Sequence, residues 1–223
     1  MRRILPMNYT LSNLISILKR RLKDEEFDED LLIDYINSAQ NDILGGNKYQ
    51  FLERVDGPFE IAKTGELSLP FDYQSTIQIF AKDSSGFSRP LTYLSADDFF
   101  KDPSRFWSYC VFGRNIYYRL PEADRDGDGD PELYRCFHLY IAKPMPMVKL
   151  TDRPIIPPEF MEALICGALA RAEQSRDNFD YAQVYENKAD DLVVNMNLRY
   201  GPRQQSAENR ARLPYRQTTQ YGE

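Results

Sequence analysis

Residues 124–132 are the stretch of the chain best suited to metal chemistry, an alternation of aspartate and glycine that reads DRDGDGDPE. Its first six residues match the spacing D-x-D-x-D-G of calcium loops, in which carboxylates from alternate residues converge on a hard cation. The candidate ligands are Asp124, Asp126 and Asp128. The twelfth position of the loop is Arg135 instead of a bidentate glutamate, and both flanks are typical of strands rather than helices. We therefore predict a polar connection between strands, with a weak divalent-cation site as the alternative.

Cysteine and histidine are too few and too widely spaced to form a recognisable metal or catalytic motif. The cysteines are Cys110, Cys136 and Cys166, and His138 is the only histidine. We predict three reduced, mostly buried thiols, and a packed or surface histidine on a strand. The sequence contains no GxSxG, no P-loop and no GxGxxG dinucleotide fingerprint. It therefore predicts no catalytic residue and no cofactor, and a protein that is not an enzyme.

The charge of the chain is unevenly distributed. Residues 1–23 carry six cations and no acid, and residues 199–223 carry five arginines and two glutamates. Because the formal net charge is -6, the residues between them carry a net charge of -15. An acidic body with basic ends favours contact between copies, or ends that reach an acidic partner. Simple solvation of the ends is the alternative.

Two helices are predicted within residues 1–50. Thr10 is a good N-cap for a helix with an apolar face at residues 11–22, and the cations at its end suit the helix dipole. Asp28 or Asp30 can cap a second amphipathic helix, which a glycine pair ends. The start of the chain is basic but has no long apolar stretch, so we expect no signal peptide.

A second pair of helices is predicted within residues 147–201, after a proline-rich linker. The first has an apolar face that recurs every four residues from Phe160 to Ala172, and the second has a face that begins at Tyr181. The small residues around Gly167 would let another helix approach closely. Four amphipathic helices of this kind can close one small bundle.

Between the two helical pairs, residues 51–146 are predicted to be rich in β-structure. Residues 106–118 are dense in aromatic and β-branched side chains around a hairpin turn at 113–115, and residues 133–141 read as a last strand. Ser95 is expected to cap a short helix. The predicted class is therefore α+β, with a β-rich insertion between two N-terminal and two C-terminal helices.

Residues 202–223 are predicted to form an extended tail. The segment is rich in Arg, Gln, Thr and Tyr and has almost no aliphatic side chains, so alone it cannot bury enough apolar surface to fold. We expect it to become ordered on a partner. No apolar run in the chain approaches the ~20 residues that a membrane-spanning helix needs, so we expect no membrane contact.

Three short stretches of the sequence, taken in order, carry a resemblance to a known protein family. They are DLLIDYINSAQ at residues 30–40, LPFDY at residues 69–73 and ALARA at residues 168–172. Together with the order of helices and strands, which covers nearly the whole chain, they resemble the head-to-tail adaptor (head completion) proteins of tailed bacteriophages. The β-rich insertion is larger here than in a minimal adaptor, so the neighbour that it contacts is left open.

This resemblance implies a structural virion protein of the phage neck, assembled in the host cytoplasm. Such adaptors form a homo-oligomeric ring, usually of twelve copies, beneath the portal protein, and they enclose DNA without sequence-specific binding. The helical bundle would build the ring wall, the β part would face a tail or nozzle protein, and the C-terminal segment would reach the portal. The residues that match the reaching segment are Arg199, Arg203, Arg210, Arg212, Tyr215 and Arg216.

Three alternatives accompany this interpretation. The nearest is a tail-completion or nozzle protein of the same particle. A small nucleic-acid-binding regulator would use the basic N-terminal helix with Arg20 and Arg21. A calcium-stabilised binding module would use the Asp-Gly stretch at residues 124–132.

Overall fold

The computed structural model describes residues 9–61, 64–82, 86–121 and 133–201. These residues form helices and two sheets, so the predicted α+β class is confirmed. The α-helices are α1 (Leu11–Leu22), α2 (Glu29–Leu44), α3 (Ala96–Lys101), α4 (Met161–Gln174) and α5 (Phe179–Tyr200), and short 3-10 helices occupy Gln50–Leu52 and Pro158–Phe160. The strands are β1 (Glu53–Ile61), β2 (Thr64–Ser68), β3 (Tyr73–Lys82), β4 (Ser88–Pro90), β5 (Thr92–Tyr93), β6 (Ser108–Phe112), β7 (Asn115–Arg119) and β8 (Tyr134–Ala142). Within the described ranges, no helix combines the length and hydropathy that crossing a lipid bilayer requires.

Side-chain caps start three of the helices at the residues that the sequence predicts. Thr10 Oγ1 accepts a hydrogen bond from the backbone N–H three residues further on, at 3.3 Å, and Ser95 Oγ does the same at 3.1 Å. Asp28 caps α2 by accepting from the N–H two residues further on, at 2.9 Å. Each bond satisfies an N–H group that has no partner within its helix, so these boundaries are fixed locally.

Helix α4 lies at the centre of the helical part. It contacts α1, α2 and α5, and eleven of its fourteen residues are buried, because neighbours cover more than one of its faces. The small residues allow the close approach that the sequence predicts: a Cβ added to Gly167 would lie 3.1 Å from the Cβ of Ala39 on α2. A larger side chain at position 167 would force α2 and α4 apart.

One apolar core is shared by α1, α2, α4 and α5, and it also takes in Tyr49, Ile141 and Met147 from the segments between helices. Helix α5 contributes one face only, with Met196 fully buried. The prediction that Tyr181 lies on this face is wrong, since its side chain is 66% exposed. Successive helical residues point about 100° apart, and it is the neighbouring Ala182 that points inward.

The strands form two four-stranded sheets. The sheet orders are β1-β8-β3-β4 and β2-β7-β6-β5, and the pairings are antiparallel except for β5 with β6. The predicted hairpin turn is confirmed, because Phe112 pairs with Asn115 and Gly113 takes the left-handed φ of 63° that suits glycine. The strand predicted from residue 106 begins later, at Ser108, because Trp107 also has a left-handed φ, 55°, which does not fit a strand.

The two sheets share a second apolar core, and Ile141 near the end of β8 belongs to the core of the helices. Gln74 Nε2 donates a hydrogen bond to the carbonyl oxygen of Gly45, at the end of α2, at 2.9 Å. Next to it, the Tyr140 hydroxyl donates to Asp72 Oδ1 at 2.9 Å. The sequence LPFDY at residues 69–73 therefore lies at the connection between the β part and the helical part.

Candidate functional site

Arg199 is the predicted partner-binding residue that lies within the described part of the chain. Its side chain is 62% exposed, with Nη1 3.3 Å from Glu159 Oε1, and its guanidinium lies 5.4 Å from the centroid of the Tyr200 ring. The predicted residues that lie outside the described ranges are Arg203, Arg210, Arg212, Tyr215 and Arg216, together with Asp124, Asp126 and Asp128 of the candidate cation loop. Their roles stay predictions.

Residues 199–201, which we call the tail root, are attached to the fold by the side chain of Tyr200. Its hydroxyl donates a hydrogen bond to Glu159 Oε1 at 2.6 Å. Its ring packs edge-on against Phe51, with centroids 5.7 Å apart, and against Phe160, with centroids 6.0 Å apart. Helix α5 is thus held at its last residue by both short 3-10 helices.

Gly201 ends α5 and marks the point from which the C-terminal segment continues. Its N–H donates to the carbonyl oxygen of Asn197 at 2.9 Å, and its carbonyl oxygen accepts from Gln50 Nε2 at 3.2 Å. A Cβ at this position would collide with the carbonyl oxygen of Asn197. The Tyr200 hydroxyl and the nearby guanidinium hold the pKa of Glu159 below its usual value, so this carboxylate remains charged at neutral pH.

Glu162 joins three helices through one carboxylate. Arg21 of α1 donates two hydrogen bonds to it, at 2.8 and 2.9 Å, and Lys188 of α5 donates a third at 2.8 Å. The hydrogen bonds from Arg21, helped by the one from Lys188, lower the pKa of Glu162 to about 2. This cluster fixes the end of α1 and the middle of α5 relative to the start of α4.

The basic end of α1 is partly neutralised within the fold. Lys19 Nζ lies 2.8 Å from Glu29 Oε1, and Arg21 is engaged by the carboxylate of Glu162. Arg20 and Lys23 make no such ion pair within the described residues. The nucleic-acid-binding alternative depends on this cluster of four cations, and two of them have intramolecular partners.

Two amide side chains of α2 hold the segment between β8 and α4, residues 143–155, which we call the strap. Asn37 donates to the carbonyl oxygen of Met147 at 2.9 Å and accepts from its N–H at 2.8 Å. Gln40, which is 1% exposed, donates to one strap carbonyl at 3.1 Å and accepts from a strap N–H at 3.3 Å. These contacts were not predicted, because their partners lie more than 100 residues away; two amides on an apolar helix face were the available signal.

His138 is packed inside the β part, in agreement with one of its two predicted environments. It is 1% exposed, and its Nε2 lies 3.0 Å from Thr76 Oγ1, which in turn lies 3.2 Å from the hydroxyl of Tyr73. Burial lowers the pKa of His138 to about 4, so the imidazole is neutral at physiological pH.

The three thiols are free and buried, as the sequence predicts. Burial raises the pKa of Cys136 to about 12, and it also raises the pKa of Cys110 and of Cys166. Since the thiolate is the reactive form, none of the three thiols is activated for nucleophilic attack. In the described ranges, no group of three or more His, Cys, Asp or Glu side chains could hold a metal ion.

A hollow of about 340 Å³ lies on the second sheet, next to α3. Its one arginine, Arg119, packs its guanidinium 4.4 Å from the ring centroid of Phe99 and donates to the carbonyl oxygens of Phe99 and Asp102, at 3.2 and 2.7 Å. These bonds tie the arginine to the backbone of α3 and the loop that follows it, so Arg119 supports the fold around the hollow.

A family model described as SU10 adaptor protein matches residues 9–215 of this 223-residue chain. The match therefore takes in both helical pairs, the β part between them and much of the segment beyond Gly201. No curated protein matches the chain.

Proposed function

This chain belongs to the SU10 adaptor protein family, a family of phage head-to-tail adaptors, and from that membership we propose that it joins the portal vertex of a tailed-phage head to its tail. In this role it is a structural protein of the virion neck rather than an enzyme, and it is assembled in the host cytoplasm. Its partners are the portal protein on one side and a tail or nozzle protein on the other.

The observation that carries the proposal is the extent of the family match, which continues past the last described helix to residue 215. That range includes four of the five predicted portal-contacting residues beyond the tail root. The proposed contact forms when the segment becomes ordered on the portal, and the entropy of ordering is offset by the new charged and aromatic contacts.

The tail root supports this mechanism. Tyr200 and Gly201 are bonded to Glu159 and Gln50, so the segment leaves the fold from a fixed position. A fixed starting point limits the volume that the segment explores, which raises its effective concentration at a partner held nearby.

The charge distribution supports a ring around DNA. Residues 24–198 carry a net charge of -15, and like charges repel the phosphate backbone. A ring of such bodies, usually of twelve copies in adaptors of this kind, would let DNA pass without binding it, while the basic segments engage protein.

The test compares the full chain with chain 1–201 and with the triple variant Arg210→Gln/Arg212→Gln/Arg216→Gln. Each protein is mixed with portal-bearing heads that were assembled without this chain, and co-sedimentation is measured. We expect the full chain to bind, and both altered proteins to bind at least about tenfold more weakly while keeping their helical content.

The matched control removes three exposed arginines elsewhere, as Arg20→Gln/Arg114→Gln/Arg135→Gln, for the same change in net charge. It should bind as the full chain does. If chain 1–201 binds the heads normally, the tail mechanism is wrong. If the full chain never travels with DNA-filled particles in a density gradient of the native lysate, the adaptor function itself is wrong.

A further inference from the structure

The strap presents two aliphatic side chains to solvent on a rigid loop. Val148 is 74% exposed and Leu150 is 51% exposed. Apolar side chains on an exposed loop are commonly part of an interaction surface when the loop holds its shape without a partner. The hydrogen bonds of the strap show that this loop does.

Asp152 closes the loop. Its Oδ2 accepts hydrogen bonds from the N–H groups of Val148 and Lys149, both at 2.8 Å, and these bonds hold the pKa of Asp152 below its usual value. The loop is also bonded to the start of α1, where Leu11 and Ser12 donate to strap carbonyl oxygens at 2.8 and 3.0 Å. Because the loop is already ordered, binding costs it little conformational entropy.

The outer face of α5 is a second uncovered apolar surface. Val184, Asp191 and Leu198 follow one another at intervals of seven residues, so they lie along one line of the helix. Val184 is 62% exposed and Leu198 is 82% exposed. Tyr181 and Val194 flank this line and are 66% and 58% exposed.

The two surfaces are complementary in charge. The strap carries exposed Lys149 and Arg153, and neither makes an ion pair within the described residues. The outer face of α5 carries exposed Asp180 and Asp191 along its apolar line. The strap thus combines apolar side chains with cations, and the outer face of α5 combines apolar side chains with carboxylates. Apolar contact together with complementary charge gives an interface its specificity.

We propose that the strap of one copy docks on the outer face of α5 of a second copy. The strap is bonded to α1 and α2, whereas α5 packs mainly on α4, so the two surfaces are different parts of one molecule. Contact between unlike surfaces leaves the first copy with a free α5 face and the second with a free strap, so each can bind a further copy, and repetition of the contact closes a ring when the rotation allows it. The inference rests on the ring in the proposed function and names the surfaces that build it.

The experiment uses two charge-reversal variants of the full chain, Lys149→Glu/Arg153→Glu and Asp180→Lys/Asp191→Lys. Sedimentation equilibrium is measured from about 1 µM to about 1 mM, a range that resolves weak contacts. We expect the unaltered chain to self-associate and each variant alone to do so at least about tenfold more weakly. An equimolar mixture of the two should associate again, because the reversed strap now faces the reversed helix.

Apolar variants provide a second measurement. Val148→Ser and Leu198→Ser should each weaken association, while Val55→Ser, which changes a 66% exposed valine on β1, should leave it unchanged. Circular dichroism establishes that all variants are folded. An unaltered chain that stays monomeric over the whole range overturns the proposed contact.

A second outcome separates this inference from the proposed function. If the charge variants associate as the unaltered chain does, the strap and α5 are not the contact surfaces. The adaptor function is decided independently, by whether the chain travels with DNA-filled particles.

Discussion

At the scale of single residues, His138 is a titratable group that the fold keeps neutral. Its ring is buried beside the hydroxyl of Thr76, and burial lowers its pKa to about 4 from an ordinary value of 6.5. As pH falls below 6.5, the unfolded chain therefore takes up a proton that the folded chain refuses. Above pH 6.5 His138 does not reduce the stability of the fold. Below pH 6.5 the free energy of unfolding falls progressively until the pH reaches about 4.

This loss is measurable by urea unfolding at a series of pH values. We expect the free energy of unfolding of the unaltered chain to fall by roughly 2–3 kcal/mol between pH 6.5 and pH 4 because of His138. In His138→Gln, which keeps a polar side chain of similar length, that part of the slope should be absent. Equal slopes for the two proteins would contradict the assignment.

At the scale of elements, local signals in the sequence are sufficient to predict where three of the helices begin. Thr10, Asp28 and Ser95 act as N-caps because the N–H groups that they satisfy lie two or three residues away. The hairpin turn at residues 113–115 is equally local. Helical and strand periodicity also predicted the α+β class, since each pattern depends only on neighbouring residues.

Contacts between elements that are distant in the chain could not be predicted from the sequence. The sequence predicts only that prolines end strand pairing at the start of the strap and that residues 151–158 form a linker, because Asn37 and Gln40 bond to residues more than 100 positions away. The parallel pairing of β5 with β6 and the central place of β8 in its sheet likewise depend on where distant strands meet. At the candidate site, the partner-binding role of Arg199 stays a prediction, and no sequence pattern indicates the bond between Tyr200 and Glu159.

Glu162 gives a prediction at this scale, because it links α1, α4 and α5. Glu162→Gln should lower the free energy of unfolding by roughly 1–2 kcal/mol at pH 7, a value discounted because the side chain is 32% exposed. Its pKa is held at about 2 instead of the ordinary 4.5. The stabilisation is therefore present above pH 4.5 and is lost as pH falls towards 2, where variant and unaltered chain should converge.

Urea unfolding at pH 7 and at pH 2.5 measures this difference. Glu29→Gln is the matched control, because Glu29 makes a single ion pair with Lys19 and its side chain is 57% exposed. It should lower the free energy of unfolding much less than Glu162→Gln does. If Glu162→Gln lowers the free energy of unfolding no more than the control does, the carboxylate of Glu162 does not stabilise the packing of the three helices.

At the scale of the whole molecule, the charge balance predicts how the isolated chain behaves towards DNA. The acidic body repels phosphate, and α1 has Lys19 and Arg21 engaged by carboxylates. We expect no binding of a DNA duplex at about 0.15 M salt, by fluorescence anisotropy, and no effect of Arg20→Glu. The nucleic-acid-binding alternative would be favoured if the logarithm of the binding constant decreased linearly with the logarithm of the salt concentration and if Arg20→Glu bound the duplex still more weakly.

A positive control makes that absence meaningful. Glu25→Lys/Glu26→Lys places two more cations beside the end of α1, in the connection to α2. If this variant gains measurable, salt-dependent affinity for the duplex, the assay is sensitive to the surface in question.

Gly201 is also the point at which any pull on segment 202–223 enters the described fold. Tyr200 transfers part of a tensile load to Glu159 in the 3-10 helix that precedes α4, and Gln50 transfers part of it to the residues that precede β1. Bonds that share a load resist rupture better than bonds that are opened one after another. Traction on the segment is therefore shared between the 3-10 helix that precedes α4 and the 3-10 helix that precedes β1.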